Sequence, residues 1–304
     1  DEIDVATYEA VNITANANAL GTNKLNEVET LTATNAKSVT VTGTGSLETV
    51  LAATASKFTS FDASGLAGAL KLTAGAEKAT YKLGASSSTL TMGSNLNASD
   101  TIVGGAGTAD TVTATVTGLT ATTGALSIAD VEKINLTTSG ANTLDMASVT
   151  GKHTLAVTDN KQTIKNFDLA NTIQQGLAAD EAATSSEIDV TAADATGTDD
   201  TLSVTVDNTA GNVSSIIDAS NIENLALKIV DDTQSVTLDM TTGEFNAISI
   251  AMKDATDNGA VDLGTLHKNT TSLTSGTIGA VTASFANQVA PNGSAVTFSG
   301  LGTA

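Results

Sequence analysis

Short runs of aliphatic side chains recur along this chain at intervals of nine to eleven residues. In the first third their centres fall near Leu31, Val41, Leu51, Phe61, Leu72, Leu83, Met92, Ile102 and Val112. Around each centre apolar and polar residues alternate, as in Val39-Thr40-Val41, Leu70-Lys71-Leu72 and Leu90-Thr91-Met92. A period of two puts every second side chain on one face, so each run reads as a strand with one buried and one solvated side. Glycines such as Gly43, Gly65, Gly84 and Gly104 punctuate the runs and give the backbone the freedom that tight corners need. Strand, corner and strand at constant spacing is how a solenoid winds, each coil covering the apolar face of the one before. The sequence therefore predicts an all-β fold, an elongated parallel β-solenoid.

A string of β-sandwich domains is the competing all-β architecture. Sandwich cores usually draw on Trp or several Tyr, and this chain has no Trp and two Tyr. Disorder is the other challenge, given a formal charge of −20. Abundant Val, Ile, Leu and Thr, a single Pro (Pro291) and regular apolar placement favour β-structure instead.

The beat returns after residue 220 at Leu227, Leu238, Ile248, Leu263, Leu273 and Val281, with an excursion expected near Asp254–Gly259. A longer phrase lies over it. Asn26-Glu27-Val28-Glu29-Thr30-Leu31, Ala129-Asp130-Val131-Glu132-Lys133-Ile134 and Ser220-Asn221-Ile222-Glu223-Asn224-Leu225 are versions of one pattern. The last two follow Asp110-Thr111-Val112 and Asp200-Thr201-Leu202, which suggests three related units. Leu169, Ile173 and Leu177 fall four apart and precede Asp180-Glu181, which reads as a short amphipathic helix or acidic connector. The expected organisation is a first solenoid region at 1–168, a connector at 169–187 and a second solenoid region at 188–304.

Charge narrows the partners. All thirteen basic residues are Lys, scattered rather than clustered, against 33 acids. That removes the electrostatic term on which nucleic-acid affinity rests, so no nucleic acid is expected as a partner. No apolar stretch approaches the roughly 18 residues of a spanning helix, so no transmembrane segment is expected. With no Cys, disulfides and thiolate chemistry are excluded. His153 and His267 stand far apart and outside any catalytic pattern, and read as exposed or corner residues.

The most specific signal for chemistry is Asp100-Thr101-Ile102-Val103-Gly104-Gly105-Ala106-Gly107-Thr108-Ala109-Asp110. It approximates the calcium nonapeptide G-G-x-G-x-D-x-U-x, in which Gly turns aim carbonyls inward and an Asp carboxylate completes a hard-oxygen shell. Asp100, Gly105, Gly107 and Asp110 are the candidate Ca²⁺ ligands. The copy carries one extra residue, Ala109, and a Gly-rich corner with solvated Asp is the other reading. A looser candidate lies at Asp194, Gly197, Asp199 and Asp200, with Asp199 and Asp200 as its ligands. Asp231-Asp232 and Asp254, Asp257 and Asn258 read as solvated turns. Cation uptake would also relieve the self-repulsion of a chain this acidic.

Thr34-Asn35-Ala36-Lys37-Ser38-Val39-Thr40-Val41-Thr42-Gly43, then Thr59-Ser60-Phe61-Asp62-Ala63-Ser64-Gly65-Leu66 and the Gly turn at 104–107, resemble the repeat region of RTX-type surface-layer proteins of Gram-negative bacteria. The resemblance keeps recognisable order between residues 34 and 112. It implies type I secretion, calcium-dependent folding outside the cell and self-assembly into a two-dimensional cell-surface lattice without catalysis. It also implies attachment to lipopolysaccharide through a region outside this chain. Two other functions stay open: a secreted RTX-type adhesin whose Thr-rich face binds a surface or glycan, and a β-helix polysaccharide-degrading enzyme.

Overall fold

Alternating Thr and aliphatic residues give strands whose inner faces are dry, and only stacking on like strands can cover those faces and satisfy both backbone edges. A computed structural model of the chain shows this arrangement. It describes residues 2–5, 7–17, 26–52, 57–76, 78–117, 125–139, 142–158, 161–176, 186–193, 200–207, 213–230, 236–239, 245–252, 260–266, 270, 272–275, 280–285 and 297–299. The fold is all-β, a parallel β-solenoid with no helix among the described residues. Accordingly, no helix there is long and apolar enough to cross a membrane.

The chain divides into two units, Asp1–Thr137 with Ser148–Thr154, and Thr138–Ala147 with Leu155–Ala304. In the first, strands alternate between two sheets as the chain winds. One sheet contains Asn26–Thr32, Leu47–Ala52, Leu70–Thr73, Thr89–Gly93 and Thr111–Thr117. The other contains Ala10–Thr14, Ser38–Gly43, Ser60–Leu66, Thr80–Lys82, Thr101–Val103, Ser127–Ala129 and Ser148–Thr150. Every pairing that carries a register is parallel, as in Leu31 with Leu51 and Val39 with Phe61.

Successive aliphatic pulses therefore do not sit on one sheet. Leu31 and Leu51 are neighbours on the first sheet, while Val41 lies between them in sequence on the second. The ten-residue beat is half a coil. Val39, Phe61, Tyr81 and Ile102 are in register, so these coils take 20–22 residues, while others range from 18 (Leu72 to Leu90) to 31 (Ile173 to Val204).

The core lies between the sheets and is built as ladders of like side chains. Val11, Val39, Phe61, Tyr81, Ile102, Ile128 and Val149 form one ladder, all buried. Leu72, Leu90 and Val112 form another across the core. Corners are tight enough to dictate residue type. At Gly43, with φ +118°, a Cβ would strike the Ala15 backbone of the preceding coil. Only glycine fits there.

The second unit follows the same plan. Asn142–Asp145, Lys161–Phe167, Ser186–Ala192, Val213–Ser220, Val236–Asp239, Ala260–Leu266 and Ala280–Phe285 form one sheet. Opposite it run Thr154–Thr158, Thr172–Gly176, Thr201–Asp207, Asn224–Ile229, Ala247–Met252, Ser272–Ser275 and Thr297–Ser299. Ile173, Val204, Leu227 and Ile250 stack in register.

The helical reading of the 169–187 connector is corrected over its described residues 169–176. Leu169 lies in a turn, and Thr172–Gly176 is a strand paired along its length with Ser203–Asp207. Burial of Ile173 and Gln175 on one side follows the strand period of two, which overrides a four-residue spacing resting on three residues. Residues 177–185 lie outside the described residues. The segments of the two units alternate along the chain between 138 and 154.

Truncating Leu90 to Ala, in the middle of its ladder, is expected to cost about 2–5 kcal/mol, because neighbours held by their own coils cannot collapse into the gap. Thr91→Ala, on the outer face of the same strand, is expected to change stability by less than about 0.5 kcal/mol. Urea denaturation of the two variants distinguishes them, and equal losses would contradict the assignment of faces.

Candidate functional site

Strands of the first sheet are entered from corners, and at some strand heads the backbone N–H donates to a side chain of the next coil. In the first unit Ser88, Asp110, Glu132 and His153 occupy this position in successive coils. Their backbones stack: Thr111 N–H donates to the Ser88 carbonyl (2.8 Å), Lys133 N–H to that of Asp110 (3.0 Å) and Thr154 N–H to that of Glu132 (2.8 Å). Two side chains reach back one coil to take up the remaining donors. Ser88 N–H donates to Asp110 Oδ1 at 2.7 Å, and Asp110 N–H donates to Glu132 Oε2 at 2.7 Å.

The second unit repeats the pair. Asp200 N–H donates to Glu223 Oε2 at 3.1 Å, and Asn224 N–H donates to the Asp200 carbonyl at 2.9 Å. The corners leading to the two glutamates also match. Asp130 and Asn221, two residues before Glu132 and Glu223, have φ of 54° and 59°. This left-handed conformation favours Asn and Asp among non-glycine residues.

Asp110 is fully buried, and its Oδ2 has no hydrogen-bond partner. A Cβ on Gly107 would lie 2.7 Å from that oxygen, and one on Gly104 would lie 3.1 Å from it. The Gly turn thus closes over the carboxylate. Burial pushes the Asp110 pKa up to about 6; the Ser88 N–H opposes this, and the negative charge of Glu132 adds to it. Asp200 Oδ2 is likewise buried without a partner. An unsatisfied buried oxygen costs about 1–3 kcal/mol, and more when charged. A proton or a cation would remove that cost.

The donor chemistry suits calcium: hard carboxylate oxygens beside a Gly turn, with Asp and Glu drawn from adjacent coils. Two carboxylates are few for this ion. Among the described residues no group of three or more His, Asp or Glu gathers in metal-binding geometry, so carbonyls and water would complete the shell.

The residues expected as one calcium turn are not all together. Gly107 and Asp110 meet, while Gly105, with φ +102°, faces the Gly84 carbonyl of the preceding coil. Asp100 heads Thr101–Val103 on the other sheet, at the opposite corner of the coil. Its oxygens are already used: Oδ1 accepts from Ala79 N–H (3.0 Å), and Oδ2 accepts from Asn97 N–H (3.0 Å) and Asn97 Nδ2 (2.9 Å). Burial raises its pKa, and these backbone bonds work against the rise. Asp100 is a corner staple.

Asp200 stands at the strand head as described, whereas Asp199 lies outside the described residues, as do Asp194, Gly197, Asp231, Asp232, Asp254, Asp257, Asn258 and His267. His153 is a corner residue and buried, its Nδ1 3.0 Å from the Gly151 carbonyl. Glu132 and Glu223 were not among the expected ligands. Their signal was the repeated phrase itself, with an Asp-Thr-aliphatic run one coil earlier. The first copy of that phrase differs, because Glu29 falls inside the strand Asn26–Thr32 and not at its head.

A separate groove of about 320 Å³ lies on the outer face of the first unit, lined by Glu27, Glu48, Lys71, Thr73, Thr89 and Thr91 among others. Lys71 Nζ reaches Glu48 Oε2 at 3.5 Å.

No family model matches the chain, and neither the curated proteins nor the solved structures compared with it contain a match.

The buried Asp110 carboxyl fixes the sign of a pH effect. Its native pKa of about 6 lies above the ordinary 3.8, so the folded chain holds a proton that the unfolded chain releases between those values. The contribution to stability is complete below about pH 3.8 and is lost as pH rises through about 6. In chelator, Asp110→Asn is expected to remove this decline, so that its advantage over the parent grows from pH 4 to pH 7. Melting temperatures across that range check it, and parallel curves for the two proteins would contradict it.

Proposed function

We propose that this chain is a structural, non-catalytic protein that assembles into a two-dimensional lattice on the outside of a cell, with calcium holding its corners. The observation that carries the reading is a register of hydroxyls on the outer face of the first unit. Ser38, Ser60, Thr80, Thr101, Ser127 and Ser148 occupy equivalent positions in six successive coils. Fixed to a ladder with about 4.8 Å between strands, these groups form a regular row of donors and acceptors that pays little entropy on docking. The next row along the same strands has an Asp62–Lys82 ion pair at 3.4 Å. Such a face suits repeated side-by-side contact between copies, and an open head-to-tail or lateral contact propagates without closing. Attachment to lipopolysaccharide belongs, in this reading, to a region outside the chain.

Calcium would be held by Asp110 under the Gly107 turn and by Asp200, supplying positive charge where burial leaves carboxylate oxygens unsatisfied. In a chain of net charge −20 it would also screen repulsion between neighbouring copies. The adhesin reading finds its own support in the groove beside Lys71, Thr73, Thr89 and Thr91, whose hydroxyls and charges can pair with sugar hydroxyls.

Electron microscopy of the purified chain in millimolar calcium, with a matched EGTA sample, tests the lattice. Ordered sheets that disperse on chelation are expected. Dispersed single particles in both samples, together with retention on a glycan array, would replace the lattice with the adhesin.

A further inference from the structure

We infer that the outer groove of the first unit receives the lysine corner of a second copy of this chain, Glu27, Glu29 and Glu48 of one molecule facing Lys37, Lys57 and Lys78 of the next. The inference rests on the lattice reading above and deepens it by naming the two surfaces in contact.

In a chain of net charge −20 a local run of cations is a distinct electrostatic feature. Lys37, Lys57 and Lys78 are exposed and stand at one corner in three successive coils, just before the strands Ser38–Gly43, Ser60–Leu66 and Thr80–Lys82. The corner backbones stack: Thr59 N–H donates to the Lys37 carbonyl (2.9 Å) and Thr80 N–H to that of Thr59 (3.0 Å). Glu9, one coil earlier, lies 2.9 Å from Lys37 Nζ. The hydrogen bond and charge of Lys37, with the charge of Lys57 adding, hold the Glu9 pKa below its usual value. Asp100, one coil later, is buried on its own donors. Among the described residues neither Lys57 nor Lys78 has an acid within ion-pair distance. Glu77, beside Lys78 in sequence, lies outside those residues.

The groove supplies the complement. Glu27 and Glu48 are in register on neighbouring strands, Glu29 lines the groove with them, and Lys71 is the one cation of that lining. Val50, also in the lining, is 43% exposed. A lysine suits both features, its methylene stem against the valine and its ammonium among the carboxylates. Corner lysines and groove glutamates advance together, about 4.8 Å per strand, because one winding carries both. A second copy therefore meets the groove at more than one coil, which a free amine does not. Corner and groove belong to the same unit, so each copy offers both halves and the contact can repeat from copy to copy. The corner also borders the hydroxyl row at Ser38, Ser60 and Thr80, so it continues the face assigned above to lateral contact.

Carbodiimide cross-linking of mixed isotope-labelled and unlabelled chains in millimolar calcium tests this, since it joins only amines and carboxylates in direct contact. Mixed-isotope peptides linking Lys37, Lys57 or Lys78 to Glu27, Glu29 or Glu48 are expected. Charge reversal is the second measurement. Lys57→Glu with Lys78→Glu, and separately Glu27→Lys with Glu48→Lys, should each weaken self-association in sedimentation roughly tenfold. An equimolar mixture of the two variants should recover it, because the acidic groove of one then meets the lysine corner of the other. Loss without recovery on mixing, mixed-isotope links confined to other residues, or a parent chain that does not self-associate would overturn the contact. Retention of an amino-sugar oligosaccharide in the groove with no link between copies would also overturn it. Sheets are scored separately. Ordered sheets without these links sink the contact and leave the lattice on another face, whereas links and recovery without sheets uphold the contact and sink the lattice.

Discussion

Every other feature of this protein depends on one constraint: the inner side chains of a coil are covered only by the matching side chains of the coils on either side. A strand such as Leu70–Thr73 has two inward apolar residues and cannot form a core by itself. Placed in register between Leu47–Ala52 and Thr89–Gly93 it loses nearly all its inward apolar surface to like neighbours. Parallel pairing then follows, because a chain that completes a coil every 18 to 31 residues always arrives in the same direction. The small aliphatic core, the Gly corners and the outer hydroxyl rows are consequences of that return.

The corners are where the ladder is incomplete, and a few of the acidic residues stand there to useful effect. At Ser88, Asp110 and Asp200 the strand-head N–H finds its partner in a side chain of the next coil. Asp110, Glu132 and Glu223 satisfy such donors with carboxylate oxygens, much as polar side chains cap a helix. Oxygens left over in that process are what make the corners chemically interesting. A staple such as Asp100 uses both of its oxygens for structure, whereas Asp110 and Asp200 each hold one in reserve.

Much of this was legible in the sequence. The period and alternation of the aliphatic runs identified strands, parallel winding and most core residues, since those depend on local pattern. The assignment of alternate runs to two sheets was not legible, because a ten-residue beat fits one strand per coil as well as two strands per coil of twice the length. Leu169 and Ile173 misled for a related reason: a spacing of four satisfies the period of two as well as that of a helix. At the site, Gly107 and Asp110 came from a motif, and the extra residue Ala109 gave no hint that Asp100 would stand at another corner. Glu132 and Glu223 were visible as a repeat. Their role emerged only once the coil length showed which strand head each of them follows.

The in-register stacking of alternate runs is open to direct measurement in a chain without cysteine. Thr73 and Thr91 face each other on adjacent strands of one sheet, while Thr101 lies on the other sheet. With Cys at positions 73 and 91, Cα atoms roughly 5 Å apart fall within the range a disulfide can span. Oxidation should therefore cross-link that double variant rapidly and intramolecularly while the native β-signal persists, and should leave a 91/101 double variant unlinked. Rapid linkage of 91 to 101 with none of 73 to 91 would contradict the winding on which the whole account stands.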